Sequence, residues 1–222
     1  MNLWDWAYAW EIMPVLLRAS VVTIQATAAG FAIAAVLGLA FAILRMSKSR
    51  WLSLPTGAVV EFVRSTPLLV QIFFIFFVFP EFGIVLPAML AGILALGLHY
   101  GAYCSEVYRA GLDNVPRGQW EAATALNLGP VVTFRDIIIP QAIPPVVPAL
   151  GNYLVALFKE TPLLSAIAVL ELMQTAKILG SQHFRYVEPI TLVGAFFLIM
   201  SLVAAALIRR VETRLNHSLR RH

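Results

Sequence analysis

The sequence predicts an all-α integral membrane protein with five transmembrane helices, and three observations predict it. Sixty per cent of the 222 residues are hydrophobic and 13% are charged, against about 25% charged in soluble domains. Mean hydropathy is +0.81. Uncharged or nearly uncharged runs recur at lengths that cross a hydrocarbon core, which needs roughly 20 apolar residues. Basic residues concentrate between alternate runs, as they do when one side of each membrane turn stays in the cytoplasm.

The N-terminal segment carries Asp5 and Glu11 and lacks a basic start. The apolar run after it is too long for the core of a secretory signal, so the segment is expected to remain on the protein. Trp4, Trp6, Tyr8 and Trp10 suit an interfacial position. The first span is expected over residues 19–44, which hold no charge. The second, over 58–79, is apolar except for Glu61, Arg64 and Gln71. The third, over 86–108, lies in a stretch uncharged from Phe82 to Ser105. The fourth, over 147–170, is interrupted by Lys159 and Glu160, and the fifth covers 189–209. Residues 1–222 thus read as one transmembrane domain, with no internal repeat and no low-complexity tract.

Orientation follows from the basic residues. Arg45, Lys48 and Arg50 lie between spans one and two; Arg109, Arg117 and Arg135 lie between spans three and four. Arg209, Arg210, Arg214, Arg220 and Arg221 form the tail, which makes eleven on one side. The other side has Arg18, Lys177 and Arg185, three in all. The positive-inside rule puts the N-terminus outside and the C-terminus in the cytoplasm, with Trp51 in the inner aromatic belt. The basic pI of about 9.5 then reflects anionic lipid. The tail arginines carry no interleaved aromatics, which argues against nucleic acid as a partner.

Several activities find no support. None of the three lysines follows a Gly-x-x-x-x-Gly spacing, so the chain has no phosphate-cradling loop of its own. No His-Glu-x-x-His or Cys-His spacing marks a metal site. Ser105 and Ser165 have no evident histidine partner for nucleophilic catalysis. Cys104, the single cysteine, excludes an internal disulfide and reads as a small apolar packer. His99 reads as a hydrogen-bonded ring on an apolar span, His183 as part of an outer loop, and His217 and His222 as part of the tail.

The segment over 116–140 is the polar exception between long apolar runs. Pro116-Arg117-Gly118 is a turn cluster, and a short helix is expected to open near Gln119. Trp120, Ala123 and Leu126 or Asn127 recur at helical spacing. Small Ala122 and Ala123 would let that helix sit close in a groove of another protein. Asn127 and Gly129 both tolerate the left-handed conformation that ends a helix, and Pro130 is expected to stop its continuation. On composition alone this is equally a plain surface loop between two spans.

Glu121-Ala122-Ala123, Ile137 and Pro140 resemble the EAA loop of ABC-importer permeases, where a cytoplasmic ATPase subunit grips the membrane subunit. The family pattern has Gly where Asn127 stands and Leu where Ile139 stands. The likeness extends over nearly the whole chain. The second-span block Glu61–Gln71 (EFVRSTPLLVQ), the third-span end Tyr103–Gly111 leading into Gly118-Gln119, and Lys159–Leu164 (KETPLL) resemble the histidine/glutamine/arginine/opine branch of these importers. The wording of EFVRSTPLLVQ and ALFKETPLLSAI is similar to permeases of ectoine and hydroxyectoine importers.

The resemblance implies a type I ABC-importer permease fold with a cytoplasmic EAA coupling helix in a bacterial inner membrane. It implies Gln119, Glu121, Ala122, Ala123, Asn127, Gly129 and Pro140 as ATPase-coupling residues. It also implies a cytoplasmic ABC ATPase dimer holding ATP and magnesium, a second permease subunit, identical or related, and an extracytoplasmic substrate-binding protein. Transport would proceed by alternating access, with the spans rocking as the docked helix moves.

Ionisable residues within spans are costly and default to functional hypotheses. Glu61 and Arg64 share an i,i+3 spacing, as do Glu106 and Arg109, so each pair is expected on one helix face. Both lie near cytoplasmic ends, which suits a gate or an interface, a ligand contact, or snorkelling to the inner boundary. Lys159 and Glu160 fall near mid-membrane beside Pro162, where a helix break would free backbone groups. The two neighbours together would offer both charge signs to a zwitterion such as ectoine or an amino acid. The plainer reading is a buried pair facing a partner subunit. Gln71 and Tyr153 are weaker path candidates. A channel or ion-coupled carrier would share the intramembrane charges but leaves the EAA segment unexplained. An intramembrane enzyme lacks a catalytic constellation.

Overall fold

A computed structural model describes residues 4–219, with side chains through residue 214. Arg220, Arg221 and His222, and the His217 side chain, lie outside that description. All regular structure among the described residues is helical. Among the described residues four helices are long and apolar enough to cross a membrane, and a bent pair is apolar enough to make a fifth, broken span.

Helix α1 runs Trp6–Arg45, about 60 Å of helix. It opens well before the expected residue 19. Asp5 caps it, its Oδ1 accepting from the Ala7 amide at 2.9 Å and the Tyr8 amide at 3.3 Å. Tyr8, Ile12, Leu16 and Ala19 then form a buried stripe at three- and four-residue spacing, packed on Leu172, Ala176 and Val193. Arg18 is therefore an exposed residue inside the helix and does not belong to an outer loop. Exposed charges at positions 11 and 18 hide an apolar face that only the stripe reveals.

The second crossing is α2, Arg50–Ser65, followed by α3, Leu68–Phe73. A π-helical turn, Phe74–Val78, and a 3-10 turn, Phe79–Phe82, prolong α3. The halves bend by 107°, so the unbroken span expected over 58–79 does not form. Pro67 lacks an N–H and forces Thr66 out of the helical region; Thr66 sits at φ −108°, ψ 142°.

Helix α4, Ala88–Asp113, continues five residues past the expected end at 108 and packs extensively on α1. A Cβ on Gly38 of α1 would lie 2.6 Å from the Cys104 Cβ and 2.9 Å from the Gly101 carbonyl. The two backbones meet there at the closeness that small residues permit in membranes. Ala26, Ala34, Leu96 and Cys104 extend the same buried seam.

Helix α5, Arg117–Ala125, is the short surface helix of the polar segment. Asn127 adopts the left-handed conformation, φ 52°. Gly129 does not; it is extended at φ −64°, ψ 153°. Pro130 opens the next helix as its first residue, where a missing N–H costs nothing. That helix is α6, Pro130–Val132; it passes through a π turn, Thr133–Ile138, into α7, Ile139–Glu160. The fourth crossing thus starts near residue 130 and not at 147. Pro140, Pro144, Pro145 and Pro148 all lie within the helical stretch. Prolines that read as punctuation are tolerated in membrane helices, where neighbouring groups satisfy the freed carbonyls.

The expected break at Pro162 is present. α7 ends at Glu160 rather than running to 170, and a 3-10 turn, Thr161–Ile167, follows. The expected outer loop contains a further helix, α8, Leu172–His183. Buried Glu171 caps it, accepting from the Gln174 and Met173 amides at 2.7 and 2.9 Å. The Tyr8 hydroxyl donates to the Leu179 carbonyl, tying α8 to α1. Helix α9, Val187–Leu219, exceeds the expected 189–209 at both ends. At its start Glu188 is fully buried, accepts from the Asp5 amide at 2.8 Å and pairs with Arg185.

Candidate coupling surface and translocation path

Three groups of residues carry the chemistry. The first is the segment expected to couple to an ATPase. Gln119, Glu121 and Ala122 are exposed on α5. Ala123 is only 2% exposed, so it packs within its own chain and is not offered to another protein. Leu126, read as a companion of that face, is exposed. Trp120 turns inward and meets Phe134 edge-on, ring centroids 5.1 Å apart. Val115, Ile138 and Ala142 form the apolar cluster beneath it, with Ile137 and Leu112 at its margin. Exposed Asn127 and Gly129 shape the return turn, and half-buried Pro140 sits in the first turn of α7. A short helix with one anchored face and one polar face is thereby fixed to the base of the fourth crossing.

The second group is an ionic hub. Both spacing-derived pairs form: Arg64 lies 3.6 Å from Glu61, and Arg109 lies 3.4 Å from Glu106. The structure adds links that spacing did not show. Glu106 on α4 also pairs with Arg45 at the end of α1 and with Arg64 on α2 at 3.3 Å. One carboxylate thus joins the ends of three helices. Glu61, 71% exposed, is peripheral. Arg45 had entered the sequence argument only as a marker of the cytoplasmic side. A helix-terminal arginine facing an intramembrane glutamate was the available signal.

The third group is a polar-aromatic cluster. His99 and Tyr103 stand one turn apart on α4, ring centroids 5.2 Å apart. Tyr103 meets Tyr153 of α7 at 5.6 Å, and Tyr100 meets Tyr153 at 6.1 Å. The Arg64 guanidinium lies over the Tyr103 ring, 5.3 Å from its centroid, a cation–π placement. Glu160 stands beside Tyr100, its buried Oε2 without a hydrogen-bond partner. Gln71 reaches His99 at 3.3 Å. Tyr100 and Tyr103 were absent from the sequence-based candidates; the one-turn spacing of Tyr103 from His99 and Tyr100 was the available signal.

Lys159 and Glu160 do not act as a pair. Neighbours on a helix diverge by about 100°. Lys159 is exposed between α7 and α9, beside Phe197, Leu198 and Ser201, while Glu160 turns toward α4. The juxtaposed charges expected from adjacency are therefore separated, and only Glu160 joins the cluster.

Among the described residues, four long apolar helices and a bent helix pair, an ionic hub joining three of the helices and a short polar surface helix anchored by one face together describe a membrane protein of the transporter type. The chain belongs to the binding-protein-dependent transport system inner membrane component family, which matches residues 11–217. It is 49% identical over 209 residues to a probable amino-acid ABC transporter permease protein, y4tG, of Sinorhizobium fredii, covering 94% of this chain and 90% of that one. It is 35% identical to the octopine transport system permease protein OccM of Rhizobium radiobacter, covering 94% and 89%. The fold matches the crystal structure of an amino acid ABC transporter with histidines at a TM-score of 0.90, with 34% identity over 95% of this chain and 99% of that one.

The chain is accordingly the permease component of an amino-acid ABC importer, a multi-pass inner-membrane protein and a transport subunit rather than an enzyme. Such a permease works with an ATPase and a substrate-binding protein.

Proposed function

We propose that this permease imports a small zwitterion, an amino acid or a cyclic amino-acid derivative of the ectoine type, along a path that passes the Tyr100–Tyr103–Tyr153–Glu160 cluster. The observation that carries the path is the Glu160 carboxylate, which faces the Tyr100 hydroxyl while its buried Oε2 has no hydrogen-bond partner. A buried carboxylate oxygen without a donor is costly, and a solute ammonium or amidinium group supplies one. The Tyr153 ring, its centroid 5.6 Å from that of Tyr103 and 6.1 Å from that of Tyr100, offers a cation–π surface to the same charge. The resemblance of EFVRSTPLLVQ and ALFKETPLLSAI to ectoine permeases favours the cyclic compatible solute. The names of relatives, including octopine permeases, keep polar amino acids beside it.

In this reading α5 docks on the ATPase through Gln119, Glu121 and Ala122, and the ATPase holds the nucleotide and its magnesium. Two permease subunits, identical or related, enclose the path, with N-termini outside and C-termini in the cytoplasm. The Glu61–Arg64–Glu106–Arg109 group gates or braces the cytoplasmic end. Radiolabelled ectoine, glutamine and arginine offered to proteoliposomes bearing the full complex test the substrate. Energised ectoine uptake, competed by excess unlabelled solute, is the expected result. Arginine uptake without ectoine uptake would discard the ectoine assignment.

A further inference from the structure

We infer that Gln71 and His99 are positioning residues: together they form a clamp that sets the 107° elbow of the second crossing and thereby holds the transport path in register with α4. The elbow at Thr66–Pro67 leaves carbonyls at the end of α2 without helical donors, because the chain turns away and Pro67 has no N–H. Within a membrane such groups need partners from elsewhere in the protein.

The Thr66 hydroxyl reaches the Phe62 and Val63 carbonyls at 3.1 and 3.2 Å, and Gln71 adds the donors that bind this corner to α4. Its Nε2 lies 2.8 Å from the Val63 carbonyl, 3.2 Å from the Thr66 carbonyl and 2.7 Å from the Thr66 hydroxyl. Carbonyl oxygens only accept, so the amide nitrogen, not its oxygen, must face them. That leaves the Gln71 Oε1 pointing the other way, and the His99 Nδ1 lies 3.3 Å from it. Oε1 is an acceptor, so His99 is the donor and carries its proton on Nδ1. The ring is 8% exposed and is held by Tyr100 and Tyr103.

A second strand of the clamp runs in parallel. The Tyr103 hydroxyl donates to the Arg64 carbonyl at 3.4 Å, one more freed acceptor at the end of α2. The elbow is thus tied to α4 by a histidine and a tyrosine one turn apart. The same α4 turns carry the path-facing rings, so a change in elbow angle displaces the path lining. This role holds whether or not Glu160 touches the solute.

The test uses the assembled complex in nanodiscs, with paired nitroxide labels at exposed Val59 on α2 and Phe77 beyond α3 in a Cys104→Ala background. Gln71→Leu removes the amide at nearly constant volume, and His99→Leu removes only the ring donor. Each is expected to broaden the label distance distribution and to lower the solute transported per ATP hydrolysed by about five- to tenfold, the scale of one lost buried hydrogen bond. The double variant should be no worse than Gln71→Leu, since both act through one network. His99→Gln, which keeps a donor, should recover most of the coupling. If Gln71→Leu fails to assemble, His99→Leu decides, because it leaves every contact between the amide and α2 in place. An unchanged distribution in assembled His99→Leu, or additive losses in the double variant, would overturn the clamp.

Discussion

Arg64, in the last turn of α2, meets Glu106 of α4 at 3.3 Å across 42 positions of sequence. Glu106 also holds Arg45 and Arg109, so its carboxylate is the shared anion of three guanidinium groups. Glu106→Gln should destabilise the assembled complex by roughly 1–3 kcal/mol, the scale for a lost charge-assisted bond. Partial exposure of all four side chains keeps the effect at the lower end. The thermal midpoint of the purified complex reads the loss. Arg45→Gln and Glu106→Gln combined should cost less than the sum of the two single losses; strictly additive losses would show that this pairing is incidental.

Glu121 and Ala122 are exposed and Ala123 is buried, so the motif has one face open and one face packed on its own chain. Glu121→Arg should leave the protein inserted and folded while reversing the charge presented to the ATPase. Solute-stimulated ATP hydrolysis and uptake should both fall by about tenfold or more, as when a buried charged contact is reversed at an interface. Normal uptake in this variant would remove Glu121 from the docking surface.

The distribution of charge and hydropathy makes the five crossings and the polar segment readable, because both are properties of residue type along the chain. The i,i+3 pairs are readable because helix geometry is local. The Arg45–Glu106 and Arg64–Glu106 links depend on which helices touch, and nothing local encodes that. The Lys159–Glu160 expectation failed for the opposite reason: adjacency in sequence separates side chains around a helix. Prolines misled once. Pro67 breaks a span that its apolar neighbours suggested was continuous, while Pro130 stands beyond the end of the short helix before it, as expected. The length of α1 was hidden because its buried stripe packs on α8, a helix that the outer loop did not advertise.

Gly38 tests the helix seam. A Cβ there would meet the Cys104 Cβ at 2.6 Å and the Gly101 carbonyl at 2.9 Å, and backbone cannot yield as a flexible side-chain end does. Gly38→Val should cost about 1–3 kcal/mol or more through overpacking, read as a lower thermal midpoint and reduced recovery of the complex. Gly194, with no atom near its added Cβ, is the control: Gly194→Ala should leave the midpoint unchanged. Equal behaviour of the two variants would refute close α1–α4 packing.

Orientation is testable with single cysteines in a Cys104→Ala background. Ser47 follows α1, and Gln182 is exposed near the end of α8. The eleven-to-three basic asymmetry predicts that a cysteine at Ser47 reacts only with reagent on the cytoplasmic side and one at Gln182 only from outside. Reversed labelling would place α5 on the wrong side for an ATPase and overturn the topology.

Glu160 tests the proposed path separately from the proposed docking surface. It lies on the last turn of α7, far along that helix from Pro140 and the α5 contacts. Glu160→Gln keeps the shape and removes the charge. Lys159 faces elsewhere and forms no ion pair with Glu160 among the described residues, so the substitution does not strand a buried ammonium. Assembly and thermal midpoint should therefore be preserved, and basal ATP hydrolysis with them. Uptake of the solute should fall by about tenfold or more, the scale of one lost charged hydrogen bond, chiefly as a weaker apparent affinity. Lys159→Gln, altering an exposed residue on the other side of the helix, should leave uptake within about twofold, as surface substitutions usually do. If uptake by the assembled Glu160→Gln complex matches the parent, the carboxylate is not on the path. If Lys159→Gln is the damaging change instead, the path runs between α7 and α9.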